Sequence, residues 1–291
     1  MSQTDPTSLE LAKFYEIPEG LAHVEITEKV LKSPLVEEQQ KQSIQKLNRK
    51  IFLFTYPSGS IKVKGLLSFS PTPSDRLLIF LRGGNRIFSI TNPGSDWVCC
   101  EPYTVVTTTY RGGVSEGTDQ FGGNDTDDVK NLIDHLPKLG ETFRLNLALP
   151  TTLLGSSRGA MEMFLALARY PYLQERFEKV ISLSGLLDIR NTLATRPDMV
   201  KMFKEEFGIG DVDEESWIKQ RDPLLTASKI KKDLPIQIIQ GSDDKVIDLA
   251  QGHRMVEQLE QHGCNVTYKE IKGGEHCLFN LKNRTHLVLG D

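Results

Sequence analysis

The chain has no apolar run approaching the ~20 residues that a membrane-crossing helix needs, so no membrane partner is expected. Its first residues, Met1-Ser2-Gln3-Thr4-Asp5-Pro6, hold neither a basic segment nor an apolar stretch. A secretory signal is therefore not expected, and the cytoplasm is the expected location. Cysteine is sparse: Cys99, Cys100, Cys264 and Cys277 are the four. A bridge between adjacent Cys99 and Cys100 would close a strained ring. No C-x-x-C pair or Cys/His cluster has metal-ligand spacing, so reduced thiols and no metal are expected. Both G-x-x-x-x-G-K-[ST] and G-x-G-x-x-G are missing, which leaves no loop to cradle a phosphate and no cofactor to expect. Neither sign of charge dominates: 35 Lys and Arg against 39 Asp and Glu leave a net −4. That balance gives no basic footprint for nucleic acid.

What is present is ordinary for a globular chain: 291 residues, 38% apolar and 25% charged. The length allows one large domain or two small ones. Residues 1–50 read as an N-terminal arm, with a short helix over 8–15 and a polar stretch over 36–48 whose sparse apolar stripe is Ile44 and Leu47. From Ile51 the period changes to strands. Residues 51–56 and 61–67 flank Pro57-Ser58-Gly59-Ser60, a hairpin signal. The run 77–81 is continuously apolar, as strands covered on both faces are, and 103–109 is rich in β-branched residues.

A Gly-rich loop then leads to an N-cap signal at Asn124 or Asp125. The helix behind it puts Val129, Leu132, Ile133 and Leu136 on one face. Strands at 151–154, 180–183, 236–239 and 266–271 alternate with helices at 160–169, about 224–231 and 249–261, the last closed by Gly263. The alternation predicts an α/β fold with a mainly parallel sheet, doubly covered by helices, over 51–291. Residues 187–221 read as a small helical lid over its C-terminal edge.

The organising stretch is Gly155-Ser156-Ser157-Arg158-Gly159. A short strand precedes it and a helix follows, the context in which G-x-S-x-G forms a sharp turn that exposes the central Ser. The helix N-terminus behind Ser157 favours developing negative charge. Cys277 beside His276 raises a thiol nucleophile as a rival, but a small buried apolar filler is the commoner role of a cysteine.

Seven pieces in order resemble the catalytic domain of prolyl-oligopeptidase-type serine hydrolases, an α/β-hydrolase group. They are Arg82-Gly83-Gly84-Asn85 with Tyr110-Arg111-Gly112, then the 121–128 stretch (FGGNDTDD) and the 155–159 turn. Arg221-Asp222-Pro223-Leu224 with Lys229-Ile230-Lys231, the 241–246 stretch (GSDDKV) and Gly273-Gly274-Glu275-His276 complete the set. Arg82 replaces the family's His, and Asn85 its Pro. Full-length peptidases of the family carry a β-propeller, for which the fifty residues before Ile51 are too few.

The resemblance implies a serine hydrolase that cleaves a small peptide or ester substrate through an acyl-enzyme. A serine needs a base, and the base an orienting acid, in the chain order Ser, acid, His. His276 alone follows the last strand. His135, His253 and His262 lie on helical stretches, and His23 and His286 lie outside the sheet region. Asp243 and Asp244 compete as acid, and the family pattern selects Asp244.

The oxyanion hole is expected from the backbone N–H groups of Arg158 and Gly84. Arg82 is expected either to add charge there or to pair with a carboxylate. Leu186 and Leu187 stand where the family builds its acyl-pocket wall, which implies an apolar acyl group; an Arg158 side chain leaning into that pocket would favour a carboxylate instead, but it is expected to find solvent or a surface partner. Activity is expected to fall as pH drops through an ordinary histidine value near ~6.5. The rival class is a non-catalytic α/β-hydrolase domain that binds a ligand or partner; a complete Ser–Asp–His set argues against it.

Overall fold

The computed structural model describes residues 6–290 apart from 73, 211 and 212. The chain forms two compact units, residues up to 118 with 127–152, and 119–126 with the residues from 153 onward.

The first unit holds α1 (Pro6–Ala12), β1 (His23–Glu25), α2 (Thr27–Lys32), α3 (Glu38–Lys46), β2 (Lys50–Ser58), β3 (Ile61–Phe69), β4 (Arg76–Leu81), β5 (Tyr103–Thr108) and all but the start of α4 (Asp125–Phe143). Its strands lie in the order β1-β2-β3-β5-β4. The expected hairpin forms: β2 and β3 pair antiparallel from Lys50↔Phe69 to Ser58↔Ile61, with Gly59 at φ 63° in the turn. β4 and β5 pair parallel, from Arg76↔Tyr103 to Leu81↔Thr108. Every β5 residue and all of β4 but Arg76 are buried, as their unbroken apolar and β-branched runs require. On α4, Val129, Leu132, Ile133 and Leu136 are all buried.

Residues before Ile51 enter this unit's structure directly. β1 pairs antiparallel with β2, Val24 facing Leu53. Phe14, Tyr15, Val30, Val36 and Ile44 share one core cluster with Ile51, Leu53 and Leu66. Each such side chain removed from water contributes ~1.5–3 kcal/mol.

The second unit runs β6 (Thr151–Ser156), α5 (Arg158–Arg169), β7 (Lys179–Leu183), α6 (Ile189–Thr195), α7 (Pro197–Glu206), α8 (Glu214–Arg221), β8 (Ile236–Gly241), α9 (Leu249–Gln261), β9 (Val266–Ile271) and α10 (Arg284–Leu289). The strand order is β6-β7-β8-β9, and β7, β8 and β9 pair parallel. Gly263, at φ 75°, stands just past α9 as expected.

Most element ends move by one or two residues from the sequence reading, and two differences have a plain physical cause. β6 extends to Ser156 and α5 starts at Arg158, so one residue makes the whole strand-to-helix turn. The helix expected over 224–231 is a 3-10 helix, Pro223–Lys229. Asp222 caps it, and Thr226 Oγ1 donates to the Pro223 carbonyl three residues back (2.6 Å), which favours the tighter winding.

The stretch 187–221 holds three helices, α6, α7 and α8, as the sequence suggests. Their apolar faces meet in a cluster of Phe203, Phe207 and Trp217 with Phe121, Leu186 and Ile247. Trp217 satisfies its indole N–H on the Phe207 carbonyl at 2.9 Å, so the ring is buried at no polar cost.

Candidate active site

Ser157 is the single residue between β6 and α5, and its backbone is strained: φ 53°, ψ −120°. Holding a non-glycine residue there costs on the order of 1–3 kcal/mol. Three hydrogen bonds impose it. The Ser157 N–H donates to the Leu183 carbonyl (2.9 Å), and its carbonyl accepts from Ala160 N (3.0 Å) and Leu186 N (3.1 Å). Gly155 leaves the space. A Cβ there would lie 2.5 Å from the Gly159 oxygen and 2.6 Å from Ala160 N, and backbone cannot yield. Ser157 precedes the first turn of α5 but makes no side-chain cap to it, so its hydroxyl is left for other use.

The loops after β8 and β9 are fastened to each other. Asp243 N donates to the Gly274 carbonyl (2.9 Å), and Ser242 N to that of Ile271 (2.9 Å). Gly273 N donates to Ser242 Oγ (2.8 Å). A Cβ on Gly241 would stand 2.1 Å from the Gly274 oxygen, so the approach requires glycine.

This juncture carries Asp244 to His276: Nδ1 lies 3.0 Å from Oδ2 and 3.1 Å from Oδ1. Asp244 Oδ1 also accepts from Val246 N (2.9 Å) and Ile247 N (3.0 Å). Its side chain is fully buried, whereas that of His276 is 18% exposed. Asp243 is exposed and takes only the Ser242 hydroxyl (2.8 Å).

Burial works against both charges of the Asp244–His276 pair, but mutual attraction prevails. Burial pulls the His276 ring down, while its bond to Asp244, helped by Cys277, holds it above the ordinary histidine value. Burial pushes the Asp244 carboxyl up, while His276 and the two backbone N–H groups bring it below the usual carboxylate range. The expectation of an ordinary histidine value is therefore corrected upward. With Nδ1 on the carboxylate, the neutral ring keeps its lone pair on Nε2.

The base-bearing loop is tied to the elbow one residue away from each key side chain. Ser156 Oγ donates to Cys277 Sγ at 3.1 Å, and Cys277 N donates to Ser184 Oγ at 2.9 Å. Cys277 is 2% exposed, a buried filler with its sulfur engaged. No hydrogen bond joins Ser157 Oγ to His276 among the described residues; such contacts are commonly long before substrate binds.

The other expected site residues take the following places. Gly84 turns at φ 69°, and a Cβ there would meet the Phe88 carbonyl oxygen at 2.2 Å. Arg82 is buried, and four carbonyls receive its terminal nitrogens: Gly83 (2.8 Å), Phe88 (3.2 Å), Arg86 (2.5 Å) and Thr109 (2.9 Å). It thereby holds the turn after β4. Leu186 and Leu187 are both buried; the Leu186 side chain belongs to the lid cluster, and Leu187 N donates to Gln251 Oε1 (3.0 Å).

The Arg158 side chain departs from expectation. It reaches no solvent, being 1% exposed. Nη1 and Nη2 fork onto Asp119 (2.8 and 2.9 Å), Nη2 also reaches Asp125 (2.7 Å), and Nε bonds Glu162 (3.0 Å). Burial and the neighbouring Asp125 push the Glu162 carboxyl well up. Asp125 stays below the usual range: Arg158 and hydrogen bonds outweigh its burial. Glu162 is therefore the carboxyl of the three that its surroundings push toward the protonated form. The sequence reading missed Asp119, Asp125 and Glu162 as a group; the one local signal was the i, i+4 spacing of Arg158 and Glu162 on α5.

Among the described residues no group of three or more His, Cys, Asp or Glu is arranged to hold a metal ion, and no helix is long and apolar enough to cross a membrane.

Residues 96–289 match the model of the prolyl oligopeptidase family. Dipeptidyl peptidase family member 6 of Caenorhabditis elegans is 24% identical over 219 residues, 69% of this chain and 28% of that protein. The chain thus spans little more than a quarter of the length of the curated relatives it matches, 28% and 26%. The acylaminoacyl peptidase of Pyrococcus horikoshii superposes with a TM-score of 0.63 at 20% identity, covering 81% of this chain and 39% of that one. A Pyrococcus furiosus esterase does so at 0.59 and 17% identity, covering 84% and 92%. The fold is the α/β-hydrolase fold that the sequence motifs imply.

Proposed function

This chain belongs to the prolyl oligopeptidase family, and we propose that it is a serine hydrolase cleaving peptide or ester acyl bonds through Ser157, His276 and Asp244. The observation that carries the reading is the buried Asp244 carboxylate on His276 Nδ1, in a loop whose next residue bonds the neighbour of a strained Ser157.

The chemistry follows from these groups. Ser157 Oγ attacks the substrate carbonyl while His276 Nε2 takes its proton, and Asp244 holds the ring in the needed tautomer. The Arg158 N–H receives the oxyanion, a donor worth ~3 kcal/mol in the transition state. Collapse passes the proton from His276 to the leaving amine or alcohol and leaves an acyl ester on Ser157. Water, deprotonated by the same imidazole, then releases the acid.

The catalytic domain is residues 51–291, with 187–221 as a lid and 1–50 as an arm. The buried Leu186 and Leu187 support an apolar acyl group. The names of similar proteins, which include peptidases and an esterase, support both leaving-group classes. Fluorophosphonate labelling with mass mapping tests the reading: a single adduct on Ser157, abolished in Ser157→Ala, is expected. No adduct, or one on Cys277, would leave a binding domain or a thiol enzyme in its place. A panel of p-nitrophenyl esters beside aminoacyl anilides then fixes the leaving group.

A further inference from the structure

A helix that begins at a catalytic serine cannot use that serine as its N-cap. Ser157 gives α5 no side-chain cap, and the first turn starts from a strained residue. Yet the orientation of the next peptide, which bears the Arg158 N–H, decides whether that donor meets a developing oxyanion.

The side chain of Arg158 anchors the same residue from the other side. Its fork onto Asp119, with Asp125 and Glu162 on the remaining edges, fixes the guanidinium at four contacts between 2.7 and 3.0 Å. The anchoring carboxyls are themselves held: Asp125 accepts from Gln120 N (2.9 Å) and Gly122 N (2.6 Å), and Glu162 from Thr126 Oγ1 (2.9 Å). Phe121 covers the guanidinium with its ring centroid 4.4 Å away, and packs on Phe203 and Phe207 of the lid cluster at 5.0 and 5.2 Å.

We propose that Arg158 is a positioning residue for its own backbone N–H: the buried carboxyl cradle aims the oxyanion donor, and Phe121 couples that aim to the packing of the lid. This rests on the reading of Ser157 as nucleophile and deepens it.

The test separates aim from folding. Wild type, Arg158→Lys, Asp119→Asn and Phe121→Leu are titrated to completion with a fluorophosphonate, so that kcat is expressed per reactive serine. Complete removal of an oxyanion donor costs about 10²–10³-fold. Arg158→Lys, which keeps the charge but loses the fork, is expected to lose about tenfold or more in kcat per titrated site, with KM within about twofold. Asp119→Asn and Phe121→Leu are expected to show smaller losses of the same kind. A purely structural role would lower Tm and the titrated fraction only. Unchanged kcat per titrated site in both Arg158→Lys and Asp119→Asn overturns the proposal. Failure of wild-type Ser157 to label overturns the parent reading and this one together.

Discussion

Each unit of the molecule sets an arginine against buried acid, and the two do so differently. In the first, Arg111 meets one carboxylate: its Nη2 lies 2.7 Å from Asp128 Oδ1, its own N–H donates to Oδ2 at 2.7 Å, and Ser58 adds a hydroxyl at 2.5 Å. Charge is matched one to one, and the pair pins β2 to the body of α4. In the second, Arg158 meets three carboxyls, and burial pushes one of them, Glu162, toward its protonated form. Removing charge from water costs several kcal/mol per ion unless partners compensate. The balanced pair is what structural pinning needs; the acid excess stands one residue from the proposed nucleophile, where local charge affects chemistry. Burial of an ion pair alone does not distinguish the two roles, whereas stoichiometry and neighbours do.

The comparison can be broken most sharply at Ser157. Ser157→Ala is expected to cut kcat by on the order of 10⁴-fold or more while Tm hardly moves, and steady-state kinetics beside calorimetry would check both. Retained turnover would remove the second unit's claim to the chemistry. Next in size, Asp244→Asn should lower kcat by about 10⁴-fold through the wrong imidazole tautomer, with Asp243→Asn within about threefold of wild type. The reverse order of the two mutants would move the acid by one residue.

A pH profile follows. Activity needs neutral His276, so it should rise with pH through a value above the ordinary ~6.5. The stability linkage has the opposite sign. A histidine whose folded pKa is raised contributes fully below its unfolded value, and that contribution is lost as pH rises through the folded one. Asp244→Asn should bring the acid limb of residual activity down, and a limb that stays in place would assign it to another group.

The smallest effect contrasts the two arginines directly. Asp128→Asn should cost ~3 kcal/mol, because it leaves Arg111 without its counter-charge. Glu162→Gln should cost under about 1 kcal/mol near neutral pH, since its surroundings already push that carboxyl toward the uncharged form. Chemical denaturation of the two variants decides it. Equal losses would mean that Glu162 is ionised.

The parts of this architecture that were legible in the sequence share a local cause. The strands at 77–81 and 103–108 are unbroken apolar or β-branched runs, and the elbow needs only a strand, two glycines and a helix in succession. His276 emerged because the other five histidines lie on helices or outside the strand–helix alternation. Asp244 needed the family pattern, since nothing local separates it from Asp243.

What stayed hidden has no local period. Asp119 and Asp125 lie 39 and 33 residues from Arg158, the first in a glycine-rich loop and the second legible only as an N-cap signal. β1 is three residues long, too short for alternation to register. The buried Arg158 contradicts the usual preference of arginine for solvent, as is common where function overrides composition.

The join between Gly241 and Gly274 sets how closely the backbones that carry Asp244 and His276 approach. β8 and β9 are in register through Gly241↔Ile271, and the two loops leave those strands already clamped. The Asp244 and His276 side chains span the remaining gap, Nδ1 meeting Oδ2 at 3.0 Å. On the proposed reading, variation in 187–221 would reshape what enters the site while the approach of the two loops is passed on intact. Substrate range and proton transfer would then be separately heritable, and selection could act on the first without endangering the second.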